Sequence, residues 1–381
     1  MEYIFPIAEI ECHILNYLDP LIDFIQLSLV SKYYHEIVMD DKVYIALKQF
    51  YLSKPIINFS IIKLKETEEI YFALACKYNY LLVAKYLLHK YDTVNIHADS
   101  ELAFKYACQN ENLEVAKWLY RLGKKNHSPI DIHVNNEQIF KKACSNGYLE
   151  LVEWLYHIGE NNNSIIDIHN DSDQAFKSAC ENGHLEVAMC LYHLGKKNNS
   201  PIDIHNDNEY AFKSACENGH LKVAGWLYHL GKKYNSPIDI HIEYLFGDIC
   251  KNGHLSVAKW LYHLGKKINS PIDIHADSEY AFGLACSNGH LEVAKWLYQI
   301  GIELNSPIDI HLDDEFAFQY ACKNGYLEVA KWLYHLEKEN NSPINIHVID
   351  EQKFEHIRQN RYLDLVEWLC TLFDKFNDPL N

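Results

Sequence analysis

A cysteine returns at nearly constant intervals along this chain of 381 residues. Eight of the eleven cysteines occupy one recurring position, with successive spacings of 32, 36, 36, 36, 34, 36 and 36 residues. They are Cys76, Cys108, Cys144, Cys180, Cys216, Cys250, Cys286 and Cys322. Around each lies one template, seen most fully in EYAFKSACENGHLKVAGWLYHLGKKYNSPIDIH at 209–241. A fixed period of this length predicts a stack of similar units, because one unit cannot bury its apolar face alone.

The template predicts two helices in each unit. Phe212, Ala215 and Cys216 are spaced i, i+3 and i+4, which places them on one apolar stripe of a first helix over 209–218. Gly219 follows and ends this helix, because glycine tolerates the left-handed backbone found at helix ends.

A second helix is predicted over 221–230, with Gly231 as its stop. Lys232 and Lys233 complement the negative end of its dipole, and an Asn-Ser-Pro loop and an extended Pro-Ile-Asp-Ile-His segment follow. The predicted fold class is therefore all-α: a solenoid of about nine helix-turn-helix units with a period of about 36 residues, preceded by a small helical domain.

We divide the chain into a helical domain at 1–50, a linker at 51–66 and the solenoid at 67–381. The repeats run roughly over 68–100, 101–136, 137–172, 173–208, 209–242, 243–278, 279–314, 315–350 and 351–381. The last copy is degenerate, since Arg358 replaces the cysteine and Arg361 replaces the turn glycine. A more polar terminal copy is typical of a solubilising cap.

The run NGHLEVAKWLY at 288–298 resembles the ankyrin repeat, with its Gly-His turn and its Leu-Glu-Val start. The resemblance covers about residues 67–381 and implies stacked helix pairs that bind other proteins. The family's Thr-Pro-Leu-His opening reads Tyr-Ala-Phe-Lys at 210–213, and the period exceeds the family's usual value of about 33. These departures leave open whether the family's β-hairpin fingers form.

Residues 1–50 lack the repeat signature and resemble the F-box. Phe5-Pro6 matches its opening Leu-Pro, ILNYLDP at 14–20 and LSLVSK at 27–32 follow, and Tyr44 stands where the family usually has tryptophan. The resemblance implies docking on a Skp-type adaptor of a cullin–RING ubiquitin ligase. The residues expected to make this contact are Pro6, Ile10, Ile14, Leu15, Leu18 and Pro20. The alternative interpretation is an amphipathic helical cap on the solenoid.

The net charge of -17 is spread along the chain, which disfavours nucleic acid and anionic membrane surfaces as partners. The start carries Glu2, Glu9 and Glu11 without a basic segment, so we predict no signal peptide, and no run of about 18 apolar residues predicts a membrane span. The cysteine pattern favours reduced thiols. We expect a cytoplasmic monomer with protein partners. Similarity to F-box and ankyrin chains of large DNA viruses of protists (mimivirus-type) would place it in host cytoplasm.

The recurring cysteine–histidine pair, Cys180 and His184 for example, has a spacing that metal ligands can adopt on a helix. The cysteine, however, shares its stripe with phenylalanine and alanine, and Tyr148 and Tyr326 replace the histidine in two copies. We therefore predict a core cysteine, a turn histidine and neither metal nor cofactor. The histidines of the Asp-Ile-His segments are expected to form loop hydrogen bonds, with a pH-sensitive ladder as the alternative.

No nucleophile motif, phosphate loop or paired catalytic carboxylate stands out, so we predict that the chain is not an enzyme. The residues three before, two before and one after each cysteine vary between copies, and in the ankyrin family this helix lines a concave groove. The candidate partner-binding residues are Lys105, Tyr106, Lys141, Lys142, Lys177, Ser178, Glu181, Lys213, Ser214, Glu217, Asp248, Lys251, Gln319, Tyr320 and Lys323.

Overall fold

The structure, a computed structural model, describes residues 67–340 and 343–377. Within these ranges it contains 18 α-helices, one 3-10 helix and no strand. The predicted all-α repeat solenoid is confirmed, and no β-hairpin finger forms in the described ranges. The F-box-like domain at 1–50 and the linker at 51–66 lie outside the described residues, as does every adaptor-binding residue predicted there.

Each repeat contributes a first helix, here called the A helix, and a second, called the B helix. The A helices are α1 (Thr67–Lys77), α3 (Ala98–Gln109), α5 (Val134–Ser145), α7 (Asn170–Glu181), α9 (Asn206–Glu217), α11 (Leu245–Lys251), α13 (Ala276–Ser287), α15 (Leu312–Lys323) and α17 (Glu351–Gln359). The B helices are α2 (Leu81–Lys90), α4 (Leu113–Lys125), α6 (Leu149–Asn161), α8 (Leu185–Lys197), α10 (Leu221–Lys233), α12 (Leu255–Lys267), α14 (Leu291–Glu303), α16 (Leu327–Asn340) and α18 (Leu363–Asn377). The 3-10 helix covers Ile346–Val348.

Packing divides the chain into two units, Met1–Ile139 and Phe140–Asn381, which are described separately. In the first unit, α1 packs against α2 of its own repeat and α3 of the next. In the second unit, α7 packs in the same way against α8 and α9. These A helices therefore bury their apolar stripes against their own B helix and the neighbouring A helix, as the repeat period predicts.

The recurring cysteines are core residues. Cys180 and Cys216 are fully buried, and burial raises the pKa of the Cys180 thiol well above its usual range. Phe176 and Phe212, four residues before these cysteines, are also fully buried. The ring centroid of Phe176 is 6.2 Å from that of Trp226 in the next repeat. The prediction that these cysteines fill space as small hydrophobic side chains is confirmed.

The glycine of the Gly-His turn packs against the next repeat. Gly183 has a φ of +79°, and a Cβ atom added to it would lie 2.4 Å from His220 Nδ1. Tyr326 covers Gly289 in the same manner, with its Cδ1 atom 2.4 Å from the added Cβ. The site requires a flat ring that packs against a glycine, so tyrosine can replace histidine there. Burial lowers the pKa of His220.

The prediction that Gly231 ends the second helix is wrong. α10 continues to Lys233, and Asn235, with a φ of 56°, provides the left-handed residue after the helix end. Gly231 is required for a different reason: an added Cβ would lie 2.5 Å from the Ser236 carbonyl oxygen of the returning loop. The loop folds back so closely that no side chain fits between it and the helix.

A left-handed turn precedes the right-handed part of α9. Asp207, Asn208 and Glu209 have φ values of 52°, 57° and 63°. A left-handed conformation costs about 1–2 kcal/mol per residue, although Asn and Asp adopt it more readily than most. The predicted first helix from 209 is thus right-handed only from Tyr210. Equivalent turns begin at Asp99, Asn135, Asp171, Asp277 and Asp313.

A buried carboxylate holds each such turn in place. His311 Nδ1 lies 2.8 Å from Glu315 Oε1, and the same oxygen accepts a hydrogen bond of 3.1 Å from the Asn345 backbone of the next repeat. Glu315 is only 6% exposed. Its hydrogen bonds therefore offset part of the cost of the turn while joining two repeats. Corresponding pairs are His97–Glu101, His133–Glu137, His169–Asp173, His205–Glu209 and His275–Glu279.

The sixth repeat omits two residues at this place, which explains the single spacing of 34. There only Tyr244 is left-handed before α11, and His241 Nε2 lies 2.7 Å from Ser270 Oγ instead. The prediction that the Asp-Ile-His histidines form loop hydrogen bonds is confirmed, while a pH-sensitive ladder stays a prediction.

Candidate protein-binding surface

The A helices carry the residues that differ most between repeats. Of the fifteen predicted partner-binding positions, thirteen are half-buried or exposed. Lys177 and Ser214 are each 5% exposed, so the expectation that they are accessible is wrong. The accessible positions are Lys105, Tyr106, Lys141, Lys142, Ser178, Glu181, Lys213, Glu217, Asp248, Lys251, Gln319, Tyr320 and Lys323.

Two of the lysines three residues before the cysteine are engaged within the solenoid. Lys141 Nζ donates to Asp171 Oδ2, and Lys177 Nζ donates to Asp207 Oδ2. Each aspartate belongs to the left-handed turn of the following repeat, so the lysine holds that turn from the preceding A helix. We call these two contacts the lysine–aspartate rungs. The sequence pattern suggested that both lysines bind a partner, whereas in the structure each one contacts the next repeat.

The same column contains glycine in two later repeats, and an aromatic ring occupies the space. A Cβ atom added to Gly247 would lie 2.8 Å from Tyr280 Cδ1, and one added to Gly283 would lie 3.2 Å from Phe316 Cδ1. Both rings come from the next A helix. Loss of the long side chain lets the ring of the following repeat lie directly against the helix backbone.

These rings belong to a row that we call the aromatic strip: Tyr210, Tyr244, Tyr280 and Phe316, six residues before successive cysteines, together with Tyr320. The four tyrosines are 37%, 52%, 39% and 38% exposed in chain order. The ring centroids of Tyr244 and Tyr280 lie 6.0 Å apart, and those of Phe316 and Tyr320 lie 4.4 Å apart. Rings of the row are thus in contact between the sixth and seventh repeats and within α15, and its tyrosines are open to solvent.

Except for Tyr320, the aromatic strip was missed by sequence reasoning, which compared only positions within three residues of the cysteine. A signal was present. Gln138 and Gln174 stand at the strip position in earlier repeats, tyrosine stands there at 210, 244 and 280, and glycine replaces lysine at 247 and 283. Changes at two fixed repeat positions in the same part of the chain indicate an altered surface.

Carboxylates surround the first part of the strip. The Tyr210 hydroxyl donates to Glu181 Oε2 over 3.3 Å. Burial raises the pKa of Glu217, and the neighbouring charges of Asp248 and Glu181 raise it further, against the opposing effect of Lys213 at 3.6 Å. The charges of Asp248 and Glu181 therefore act on Glu217, and carboxylates gather on this part of the surface.

Tyr244 has the same kind of surroundings. Its hydrogen bond to the Glu243 carboxylate raises its pKa, and the charges of Glu243 and Asp277 add to the effect. The first part of the strip consequently combines exposed aromatic faces with neighbouring carboxylates, and Lys177 Nζ lies 6.0 Å from the ring centroid of Tyr210.

In the described ranges, no group of three or more His, Cys, Asp or Glu side chains is arranged so that it could bind a metal ion. The helices of the described part are also too short or too polar to cross a bilayer.

Repeated helix pairs with a constant core and a variable A-helix surface define a helical-repeat scaffold. The sequence profile described as "Ankyrin repeats (3 copies)" matches at residues 72–169, 140–238 and 247–344. These matches span more than half of the chain, which belongs to the ankyrin repeat family. Ankyrin repeats indicate a protein–protein interaction scaffold, so protein partners are expected, and solenoids of this kind are typically non-enzymatic. The matches begin at residue 72 and do not reach the F-box-like region.

No curated protein matches the chain. Among solved structures, the chain is similar to the pentatricopeptide repeat protein PPR10 from maize, at 9% identity and a TM-score of 0.38. That match covers 97% of this chain, which spans 59% of the maize protein's chain.

Proposed function

We propose that this protein is an interaction adaptor whose A-helix surface binds a target protein while its F-box-like region recruits a ubiquitin ligase. The observation that carries the first half is the contrast within each A helix. Its buried stripe is nearly constant, with a cysteine at the same place in eight repeats, whereas its accessible positions differ between repeats. A scaffold that must only stack has no need for such variety, but one that contacts an asymmetric partner does.

The second half depends on the F-box-like sequence of residues 1–50. In the proposal, Leu15, Leu18 and neighbouring apolar residues dock on a Skp-type adaptor of a cullin–RING ligase. The A-helix surface then presents the bound target for ubiquitin transfer by other subunits. The protein acts as a monomer in the cytoplasm, or in host cytoplasm if it is viral, and needs neither cofactor, nucleic acid nor membrane.

A second candidate function is masking, in which the ankyrin scaffold binds a host protein without recruiting a ligase. It is favoured by the extent of the family match, which covers the repeats and stops short of the N-terminal region. The two functions differ in the fate of the target. Loss of the target that a proteasome inhibitor prevents supports the adaptor, whereas unchanged abundance of a bound target supports masking.

The direct test is co-purification of the full chain with the Skp-type adaptor. The variant Leu15→Asp/Leu18→Asp is expected to lose the adaptor but to retain the target, because neither leucine belongs to the A helices that carry the proposed target-binding positions. Leu363→Asp provides a matched control, since this leucine is 69% exposed in the last repeat and the same change there removes no proposed contact. Absence of the adaptor from the wild-type sample, or equal recovery with the double variant, contradicts ligase recruitment.

A further inference from the structure

We infer that the aromatic strip, with the carboxylates beside it, binds an extended basic segment of a partner protein through arginine or lysine side chains. The inference rests on the proposed scaffold function and specifies the chemistry of the partner. It concerns Tyr210, Tyr244, Tyr280, Phe316 and Tyr320, together with the carboxylates near the first two.

The aromatic faces are the first reason. Exposed tyrosine and phenylalanine rings attract cations through the electron density of the ring face, at about 0.5–1 kcal/mol per contact. The chain itself contains such contacts: Lys323 Nζ lies 5.1 Å from the ring centroid of Tyr320, and Lys196 Nζ lies 3.9 Å from that of Tyr234. A partner's cation can reach Tyr244 and Tyr280, which are 52% and 39% exposed, in the same way.

Charge complementarity is the second reason. Glu181 Oε2 accepts a hydrogen bond of 3.3 Å from the Tyr210 hydroxyl. Repulsion from Asp248 and Glu181 raises the pKa of Glu217, and the only cation that lowers it is Lys213, 3.6 Å away. A bound arginine would relieve this repulsion and add charge-assisted hydrogen bonds. The net charge of -17 also disfavours a second copy of this chain and nucleic acid as occupants.

The spacing of the strip favours an extended segment. Alternate residues of an extended chain point to one side and lie about 6.6 Å apart. This is close to the 6.0 Å between the ring centroids of Tyr244 and Tyr280. With packed helices about 8–10 Å apart, four repeats span about 30 Å. A segment of about 12 residues, at about 3.3 Å per residue, covers that length.

The test measures binding of a fluorescent peptide of about 12 residues, with arginine and serine alternating as the spacing suggests, to the full chain by fluorescence anisotropy at about 0.1 M salt. The main variant changes Tyr210, Tyr244, Tyr280 and Phe316 to glutamine, because glutamine occupies this position in α5 and α7. We expect its affinity to fall at least about tenfold, since each lost contact contributes about two- to fivefold.

Tyr234→Gln is the control, because Tyr234 is 48% exposed but lies in the loop after α10, outside the strip. Its affinity for the peptide is expected to stay within about twofold of the wild type. A second variant, Glu217→Gln/Asp248→Asn, leaves every ring in place and should also weaken binding. It keeps the inference testable if the fourfold variant does not fold.

Four results overturn the inference: no binding of the basic peptide by the wild type, equal binding by the folded fourfold variant, an unaltered affinity in the carboxylate variant, or equally tight binding of a neutral proline-rich peptide. The scaffold proposal fails separately, if the wild type captures no target protein. A target retained fully by the fourfold variant rejects the strip as its docking surface while the scaffold function stands.

Discussion

Two stretches of A-helix surface use one backbone template with different side chains. In the lysine–aspartate rungs, Lys141 and Lys177 reach the left-handed turn of the next repeat. In the aromatic strip, Gly247 and Gly283 leave this space to Tyr280 and Phe316. In the first arrangement the lysine charge pairs with an aspartate of the next repeat, and Lys177 is buried. The second exposes aromatic faces, so the same repeat position serves stability in one stretch and is available for recognition in the other.

The two stretches share their core, which separates packing from recognition. If that separation holds, core substitutions will have similar effects in both stretches, and surface substitutions will not.

Phe176→Ala and Phe282→Ala are expected to destabilise the chain by about 3–5 kcal/mol each, because both remove a fully buried ring from the same core position. Each ring has its centroid 6.2 Å from a tryptophan of the next repeat. Urea unfolding followed by circular dichroism measures the effect. Losses that differ by more than about 2 kcal/mol would show that the two cores are not equivalent.

Gly183→Ala and Gly289→Ala should each destabilise the solenoid by about 1–3 kcal/mol, because alanine is strained at a φ of +79° and its Cβ would overlap the covering ring. One ring is histidine and the other tyrosine, so similar losses are expected if stacking rather than hydrogen bonding is the requirement. Gly225→Ala is the control. Its added Cβ meets nothing within 4 Å in α10, and the change should stabilise the helix by up to about 1 kcal/mol. A loss at Gly225 as large as at Gly183 would contradict this explanation.

Asp207→Asn is expected to cost more than Lys177→Met, by about 1–2 kcal/mol in thermal unfolding. The aspartate substitution leaves the buried Lys177 ammonium without its negatively charged partner, whereas methionine removes the buried charge itself. The side chain of Lys177 is 7% exposed and that of Asp207 is 59% exposed. Equal costs would show that the rung is an ordinary surface ion pair.

Glu217→Gln should increase stability slightly at pH 7 while weakening the binding of a basic peptide. Burial raises the pKa of Glu217, so folding favours the protonated form. The resulting stabilisation is complete below the ordinary carboxyl pKa of 4.5 and is lost as the pH rises through the raised value. Glutamine resembles the protonated form, and the expected gain at pH 7 is below about 1 kcal/mol.

The measurement for this last prediction is urea unfolding at pH 7 and at a pH below 4.5, the carboxyl's ordinary pKa. The gain should disappear at the lower pH, because both side chains are then neutral. Glu186→Gln, at an exposed position of α8, is the control and should have no effect beyond about 0.5 kcal/mol at either pH. A loss of stability at pH 7 would mean that the ion pair with Lys213 outweighs burial and repulsion.

The repeat pattern predicted the helix pairs, the buried cysteine column and the turn glycine, because each depends on spacing that recurs in the sequence. It did not predict the left-handed turn over 207–209. Local propensity there favours a cap or loop, and tertiary contacts stabilise the turn: Glu209 Oε1 lies 2.8 Å from His205 Nδ1, and Lys177 of the preceding repeat donates to Asp207. The role of Gly231 was also hidden, since it depends on where the following loop returns.

The candidate surface was predicted in outline only. The variable positions around the cysteine were correctly placed on the A helix, but Lys177 and Ser214 proved to be buried. Whether a lysine is accessible depends on the acceptor that the next repeat offers, and a sequence pattern within one repeat does not contain that information.

The all-helical repeat architecture follows from the sequence alone, because periodic apolar residues must be buried and identical units bury them by stacking. The packed repeats settle which polar side chains pair within the solenoid and which rings stay exposed. That choice depends on contacts between residues about 30 positions apart, such as Lys177 with Asp207 and Gly247 with Tyr280. These contacts exist only once neighbouring repeats are packed together.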